Sequence, residues 1–320
     1  MHYKAVLISS VMLTSGLLAT TYHIAPNVSA GGDGSAERPF ASLESARDAV
    51  RAARTAGALQ SHTVIELAPG TYWRANTFEL GAEDGGAAGA PVVYRASKLG
   101  AASLNLGIPV PAARWQTVAD PALVSRLSAQ AKGQLLRLSL DALGVRNHGP
   151  YADVFSDGGG LCQLFSGSRW MPLSRWPEAG YETIAAVLSK GDLKGGPGTL
   201  GGSFTYRSDR PAQWSVADGV WLDGFWVVPW TRTALRVATI DTARKTITFA
   251  SGVSRGIGSK YAKPPQLGTG KEEWCAVNVL EEIDRPGEWC IRFGERALYF
   301  LPPTTAAPKD AVIADRTMPL

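Results

Sequence analysis

Between residues 280 and 290 the chain reads LEEIDRPGEWC, which crowds Glu281, Glu282, Asp284 and Glu288 around one Pro286-Gly287 step. Glycoside hydrolysis needs two carboxylates about 5–9.5 Å apart across a cleft. One protonates the leaving oxygen, and the other attacks the sugar or activates water. Carboxylates are also the acceptors that satisfy backbone amides at a tight turn. Pro286 sets φ and Gly287 admits positive φ, so the stretch is first of all turn chemistry. Neighbours on such a turn seldom face each other over open space. The expectation is therefore structural: Glu281 and Glu282 in a helical turn, Asp284 bonding amides at the corner, and Trp289 in the core.

Other residues offer binding chemistry. In SRWPEAGY (174–181), Arg175 adjoins Trp176. An aromatic ring packs on the apolar face of a sugar with a cation beside it, but the same pair can clamp two β-layers by a cation–π contact. Trp221, Trp226 and Trp230 fall in one stretch. Trp226 and Trp230 share strand parity, and Trp221 opposes them unless Gly224 marks a bulge. Buried core and sugar platform both fit. Arg175, Trp176, Trp226 and Trp230 are thus the candidate substrate-binding residues, and no catalytic residue is assigned. Asp84, Glu83 and Asp33 carry oxygen ligands of the kind calcium takes. Carboxylates in glycine loops more commonly cap turns, so no metal is expected. The histidines His2, His23, His62 and His148 lie far apart and no CxxC occurs, which speaks against zinc. Neither a GxSxG elbow, a P-loop nor a dinucleotide fingerprint is present, and no cofactor is expected.

The elements that must position these groups are short. With 320 residues, 45% hydrophobic and 19% charged, the chain is too apolar for disorder. Its 35 glycines and 20 prolines punctuate β-branched runs, which favours a β-rich fold. A net charge of +4 without a basic tract excludes a nucleic-acid partner. Lys4, the apolar run 5–20 and the small residues Ala19 and Thr21 read as a secretory signal, 1–21, cleaved near residue 21. The run is short for a membrane span, so no membrane partner is expected after cleavage, and the location is secreted or periplasmic. Cys162, Cys275 and Cys290 are odd in number. A Cys275–Cys290 bridge stays open, and small buried thiols are the plainer reading. Asn27-Val28-Ser29 also matches a glycosylation sequon.

One clear helix is expected over 40–54, where Leu43, Ala46, Val50 and Ala53 recur at helical spacing behind Ser42 as N-cap, with Gly57 as the stop. Strands follow at 63–73, 77–80, 92–97 and 102–107, a spacing that suits a coil of a parallel β-helix or an open sandwich. Beyond a helical stretch at 120–132, strands at 134–140, 161–177, 203–208, 219–230, 233–241, 245–251 and 290–303 carry hairpin signals, Gly167-Ser168 among them. These suggest an antiparallel sandwich.

Several separated segments resemble the opening of secreted right-handed parallel β-helix proteins, many of them glycoside hydrolases of xylosidase or fucosidase type. They are YHIAPNVSAGGDGSAERPFASLESARDAVR, VIELAPGTYW, LGAEDGGAAGAPVVYRA, LFSGSRWMPLSRWPEAGY and VNVLEEIDRPGEWCIRFGERALYFLPP. The resemblance implies a mainly β chain. A capping helix and first β-helix coil would occupy 22–111, an inserted antiparallel β-sandwich 112–300, and a return strand into a truncated β-helix 301–320. Cys290 departs from it by standing where the family has an aromatic residue, and SLNLG matches only loosely. The family's catalytic carboxylates sit on later rungs with which nothing here aligns. Expected partners are a polysaccharide or oligosaccharide, with self-association through the exposed β-helix end. Two functions follow as expectations: an N-terminal fragment of a secreted carbohydrate-active β-helix protein, lacking the catalytic pair, whose full-length relatives are glycoside hydrolases on plant or algal polysaccharide, or a non-catalytic carbohydrate-binding or surface-adhesion module.

Overall fold

The one long helix starts where side-chain chemistry dictates. Ser42 Oγ accepts the amide of Ser45 at 3.1 Å and caps Leu43–Thr55. Leu43, Ala46 and Val50 bury one face, and Gly57 sits just past the end at φ 68°. A computed structural model describes residues 19–58, 62–87, 89–145, 162–228, 230–258, 272–304 and 307–315. The chain divides into two compact units, one within 1–106 and the other within 107–319.

In the first unit, strands Thr20–Ile24, Thr63–Leu67 and Val92–Ala96 run parallel. Their register stacks Tyr22, Ile65 and Tyr94 in one column and Ile24, Leu67 and Ala96 in another. A second parallel pair joins Gly70–Trp73 to Ala102–Asn105. The helix packs on these ladders through Leu43, Ala46 and Val50, against Ile24, Ile65, Leu67 and Tyr72. Gly70 is required at its place: its φ is 138°, and a Cβ there would lie 2.6 Å from Pro26 Cγ. The expected strand at 77–80 is not formed, and Ala82–Asp84 makes a short 3-10 helix instead. Among the described residues the parallel ladders are three and two strands deep and do not close into a β-helix. Most of the expected signal falls in 1–18, outside the described residues, and the first strand begins at Thr20, ahead of the expected cleavage point.

The second unit is mostly antiparallel. Its largest sheet orders Arg175–Trp176, Glu273–Val277, Trp221–Gly224, Thr233–Asp241, Thr246–Phe249, Ser203–Thr205 and Ala186–Ser189. Phe204, Leu222, Trp226, Leu235, Ile247, Phe249 and Trp274 fill the core associated with it. A four-stranded sheet orders Trp289–Arg292, Ala297–Phe300, Leu136–Ser139 and Gln116–Thr117. Alternate residues of its hairpin feed two cores: Trp289, Ile291, Leu298 and Phe300 one, Cys290, Ala297 and Tyr299 the other. Being apolar on both faces is what makes this hairpin central. The Gly167-Ser168 hairpin forms as read, pairing Ser166 with Arg169.

Several boundaries differ from expectation. The 120–132 helix is only Pro121–Arg126, because Ser128 Oγ accepts the amide of Ala131 and donates to Ile283 O, turning the chain. The 219–230 strand stops at Gly224. A Cβ on Gly224 would lie 2.6 Å from the Trp226 ring and 2.8 Å from Glu273 O, so the indole folds back over the glycine. Trp226 and Trp230 therefore do not share a strand. Ala311–Ala314, read as leading back to a β-helix, pairs antiparallel with Gln163–Ser166 and Ile108–Pro109 in the second unit. Its apolar residues Ala311 and Ile313 join the core beneath that sheet. All three cysteines are free and buried, and Cys275 and Cys290 belong to different core clusters.

Candidate functional site

The acids of 280–290 are engaged one by one. Leu280–Glu282 is a 3-10 turn, and both glutamates are buried. Glu282 accepts a bidentate pair from Arg210, at 2.7 Å and 2.8 Å, and the Trp214 indole N–H at 2.5 Å. Glu281 accepts Arg126 Nε at 3.0 Å. The same guanidinium bonds Asp218, which also accepts Arg292 Nε at 2.8 Å. Burial lifts the Glu281 carboxyl above its usual range despite Arg126, and its Oε2 has no hydrogen-bond partner. These chains of alternating charge tie the short helix, the 3-10 turns and the central hairpin together. Glu282 is held through both oxygens and Asp218 lies between two arginines, whereas Glu281 is held through one oxygen only.

Glu288 behaves differently. Its Oε2 accepts the amides of Asp284 and Arg285, both at 2.9 Å, so Glu288 and not Asp284 satisfies the corner. Gly287 takes φ 101°, as the turn demands. Oxygens of Glu178, Asp284 and Glu288 lie within 4.8 Å of one another, and Arg285 pairs with Glu178 at 3.0 Å. Burial pushes the Glu288 carboxyl up to about 7 against the amide bonds, with the neighbouring carboxylates adding to the rise. The linkage has a definite sign. Between about pH 4.5 and 7 the folded state keeps a proton that the unfolded chain releases. The contribution is full below that window and is lost as pH rises through it. Wild-type stability measured in urea is expected to fall by about 2–3 kcal/mol from this group between pH 5 and 8. Glu288→Gln, which keeps an oxygen for the two amides, should flatten that dependence. An unchanged pH slope in the variant would count against the assignment.

A second cluster gathers residues that share no sequence motif. Asp223 is buried and pairs with Arg232 Nε at 3.0 Å. Arg232 also donates to Tyr181 Oη at 3.3 Å. The Arg175 guanidinium lies 5.4 Å from the Tyr181 ring centre, and Tyr181 meets Phe225 edge-on at 5.7 Å. Burial raises the Asp223 carboxyl, while Arg232 and then Arg175 pull it down. The arrangement presents a phenol and a half-exposed guanidinium; Trp230, two residues along the chain from Arg232, is 78% exposed. Stacking and hydroxyl recognition are within its means.

The four candidate residues therefore part company. Arg175 lies in this cluster, and its guanidinium donates to the carbonyls of Pro177 and Gly180. Trp176 packs on Trp214 and Trp274 at 5.6 and 5.8 Å. Trp226, 1% exposed, sits among Phe204 and Phe249 and donates to Thr233 O at 2.8 Å, leaving no ring face for a ligand. Trp230 alone offers an open ring. Asp223, Tyr181 and Arg232 were not singled out from the sequence, which carries no signal for groups brought together by strand pairing.

The loop acids do not gather as calcium ligands. Asp84 accepts two bonds from Arg51 at 2.6 Å and the Gly81 amide at 2.7 Å, and Arg51 holds its carboxyl down at about 2. Asp33 pairs with Arg38 instead. The only group of three acids close enough to hold an ion among the described residues is Glu178, Asp284 and Glu288. No helix among them is long and apolar enough to cross a membrane.

No family model matches the sequence, and no curated protein matches it. Among solved structures, a chain titled "Glycoside hydrolase" superposes with a TM-score of 0.62 at 18% identity over 92% of this chain. The match takes in 45% of that chain, so this protein spans less than half its length. A second, "The complex structure of XylC with xylose", reaches a TM-score of 0.29 at 14% identity, over 84% of this chain and 32% of that one. That score is too low to indicate a shared fold. The first likeness is one of fold: a mainly β chain with several sheets built as in a glycoside hydrolase.

Proposed function

We propose that this chain corresponds to part of a secreted, carbohydrate-active protein of the right-handed β-helix type, and that it binds a polysaccharide or oligosaccharide without cleaving it. The fold likeness to a glycoside hydrolase over 92% of the chain carries the reading. The parallel ladders of the first unit support the β-helix part of it, as the stacked start of a coil. Engagement of Glu281 and Glu282 by arginines, and of Glu288 by two amides, supports binding over hydrolysis. On this reading Tyr181, Arg232 and Trp230 form the sugar-facing surface, with Arg175 holding the Tyr181 ring in place.

The test is direct. Purified protein is expected to show no turnover of aryl xylosides or fucosides and to be retained on insoluble xylan. Trp230→Ala should weaken retention severalfold with the melting temperature unchanged. Turnover that disappears in Glu282→Gln or Glu288→Gln would overturn the non-catalytic reading.

A further inference from the structure

We propose that the first unit carries a separate binding pocket for a neutral pyranose, built around Trp73, Arg74 and Glu44. This rests on the carbohydrate reading for the class of ligand, but its residues are unrelated to the Tyr181 cluster. The pocket, about 340 Å³, is lined by Asn27, Ser42, Glu44, Trp73, Arg74 and Asn76 among others. That volume has room for about one or two sugar rings.

Local structure explains why these side chains stand there. Gly70–Trp73 alternates, so Tyr72 turns into the core under the helix while Trp73 turns out and is 45% exposed. Arg74 follows the strand end, where its amide bonds Asn105 O. Its guanidinium forms two bonds to Glu44 in the first turn of the helix and lies 5.4 Å from the Phe78 ring centre. The Arg74 side chain is only 10% exposed, yet its Nε has no hydrogen-bond partner. A buried donor left unmade costs stability, so this arginine is held in place by its Glu44 and Phe78 contacts and not by a full set of bonds.

The chemistry selects a neutral sugar. Arg74 and Glu44 cancel each other's charge, so the lining has no surplus for a sulfate or uronate. What is left is a half-open indole for the apolar face of a ring, with a carboxylate and the side-chain amides of Asn27 and Asn76 for its hydroxyls. Arg74 also holds the Glu44 carboxyl below its usual range, so it stays an acceptor at neutral pH. Glu44 is the only carboxylate in the lining, which suits retention and not cleavage.

Titration of the whole protein with xylotriose and with methyl α-L-fucoside, read by ligand-observed NMR and calorimetry, tests this. Trp73→Ala is expected to weaken binding of at least one probe tenfold or more, with Trp73→Phe recovering part of the loss. Asn76→Ala should weaken it severalfold. Both positions are exposed, so an unchanged melting temperature serves as the folding control. Binding that survives Trp73→Ala but is lost in Trp230→Ala would overturn the pocket and leave the carbohydrate reading standing. No binding of either probe by the wild type, nor of xylan, would overturn both.

Discussion

Glu282→Ala is expected to lower the free energy of unfolding by about 3–5 kcal/mol, the usual cost of stranding one partner of a buried ion pair. Glu282 has three donors on it, two from Arg210 and one from Trp214, and is 1% exposed. Alanine leaves a guanidinium and an indole N–H facing a hole. Glu282→Gln keeps an acceptor oxygen and removes the charge, so its cost should be smaller, about 1–3 kcal/mol. Urea unfolding of both variants separates structure from catalysis. A catalytic acid would be replaceable by glutamine at little cost in stability, with turnover lost. Here the stability loss is expected in both variants, whatever the turnover. A Glu282→Ala variant as stable as the wild type would refute the structural role.

Trp226→Ala is expected to cost a similar amount, about 3–5 kcal/mol, by opening a cavity in the core of the large sheet. The indole touches Phe204 at 5.8 Å and Phe249 at 5.0 Å between ring centres, and its N–H bonds Thr233 O. Gly224 is glycine because that ring lies over it. Trp230→Ala, four residues on, should change stability by less than about 0.5 kcal/mol, because that side chain is exposed. The contrast between the two tryptophans is measurable in one urea series. Loss of xylan retention in Trp226→Ala with stability intact would return Trp226 to the binding surface.

Local rules were readable wherever one short segment decides the outcome. Ser42 caps the helix, Gly167-Ser168 turns a hairpin, and Pro286-Gly287 turns the chain into Trp289, because each depends on φ preferences and neighbours within a few residues. Trp289 was legible as core from its place at the start of an apolar hairpin. What failed locally failed for long-range reasons. The 219–230 run looks like one strand until Gly224 meets Glu273 and the Trp226 ring. Asp284 looked like the cap of the corner, but Glu288, four residues on and next to the hairpin strand, reaches both amides.

The sequence by itself determined a mainly β chain, one capped helix, the hairpins and the turn at Pro286-Gly287, since periodicity and turn chemistry are written within a few residues. Only the tertiary structure decided which acid meets which arginine, which tryptophan is open, and that Arg126 joins Asp218 to Glu281. Those pairings join residues far apart in the chain, and strand register, not spacing, sets their distances.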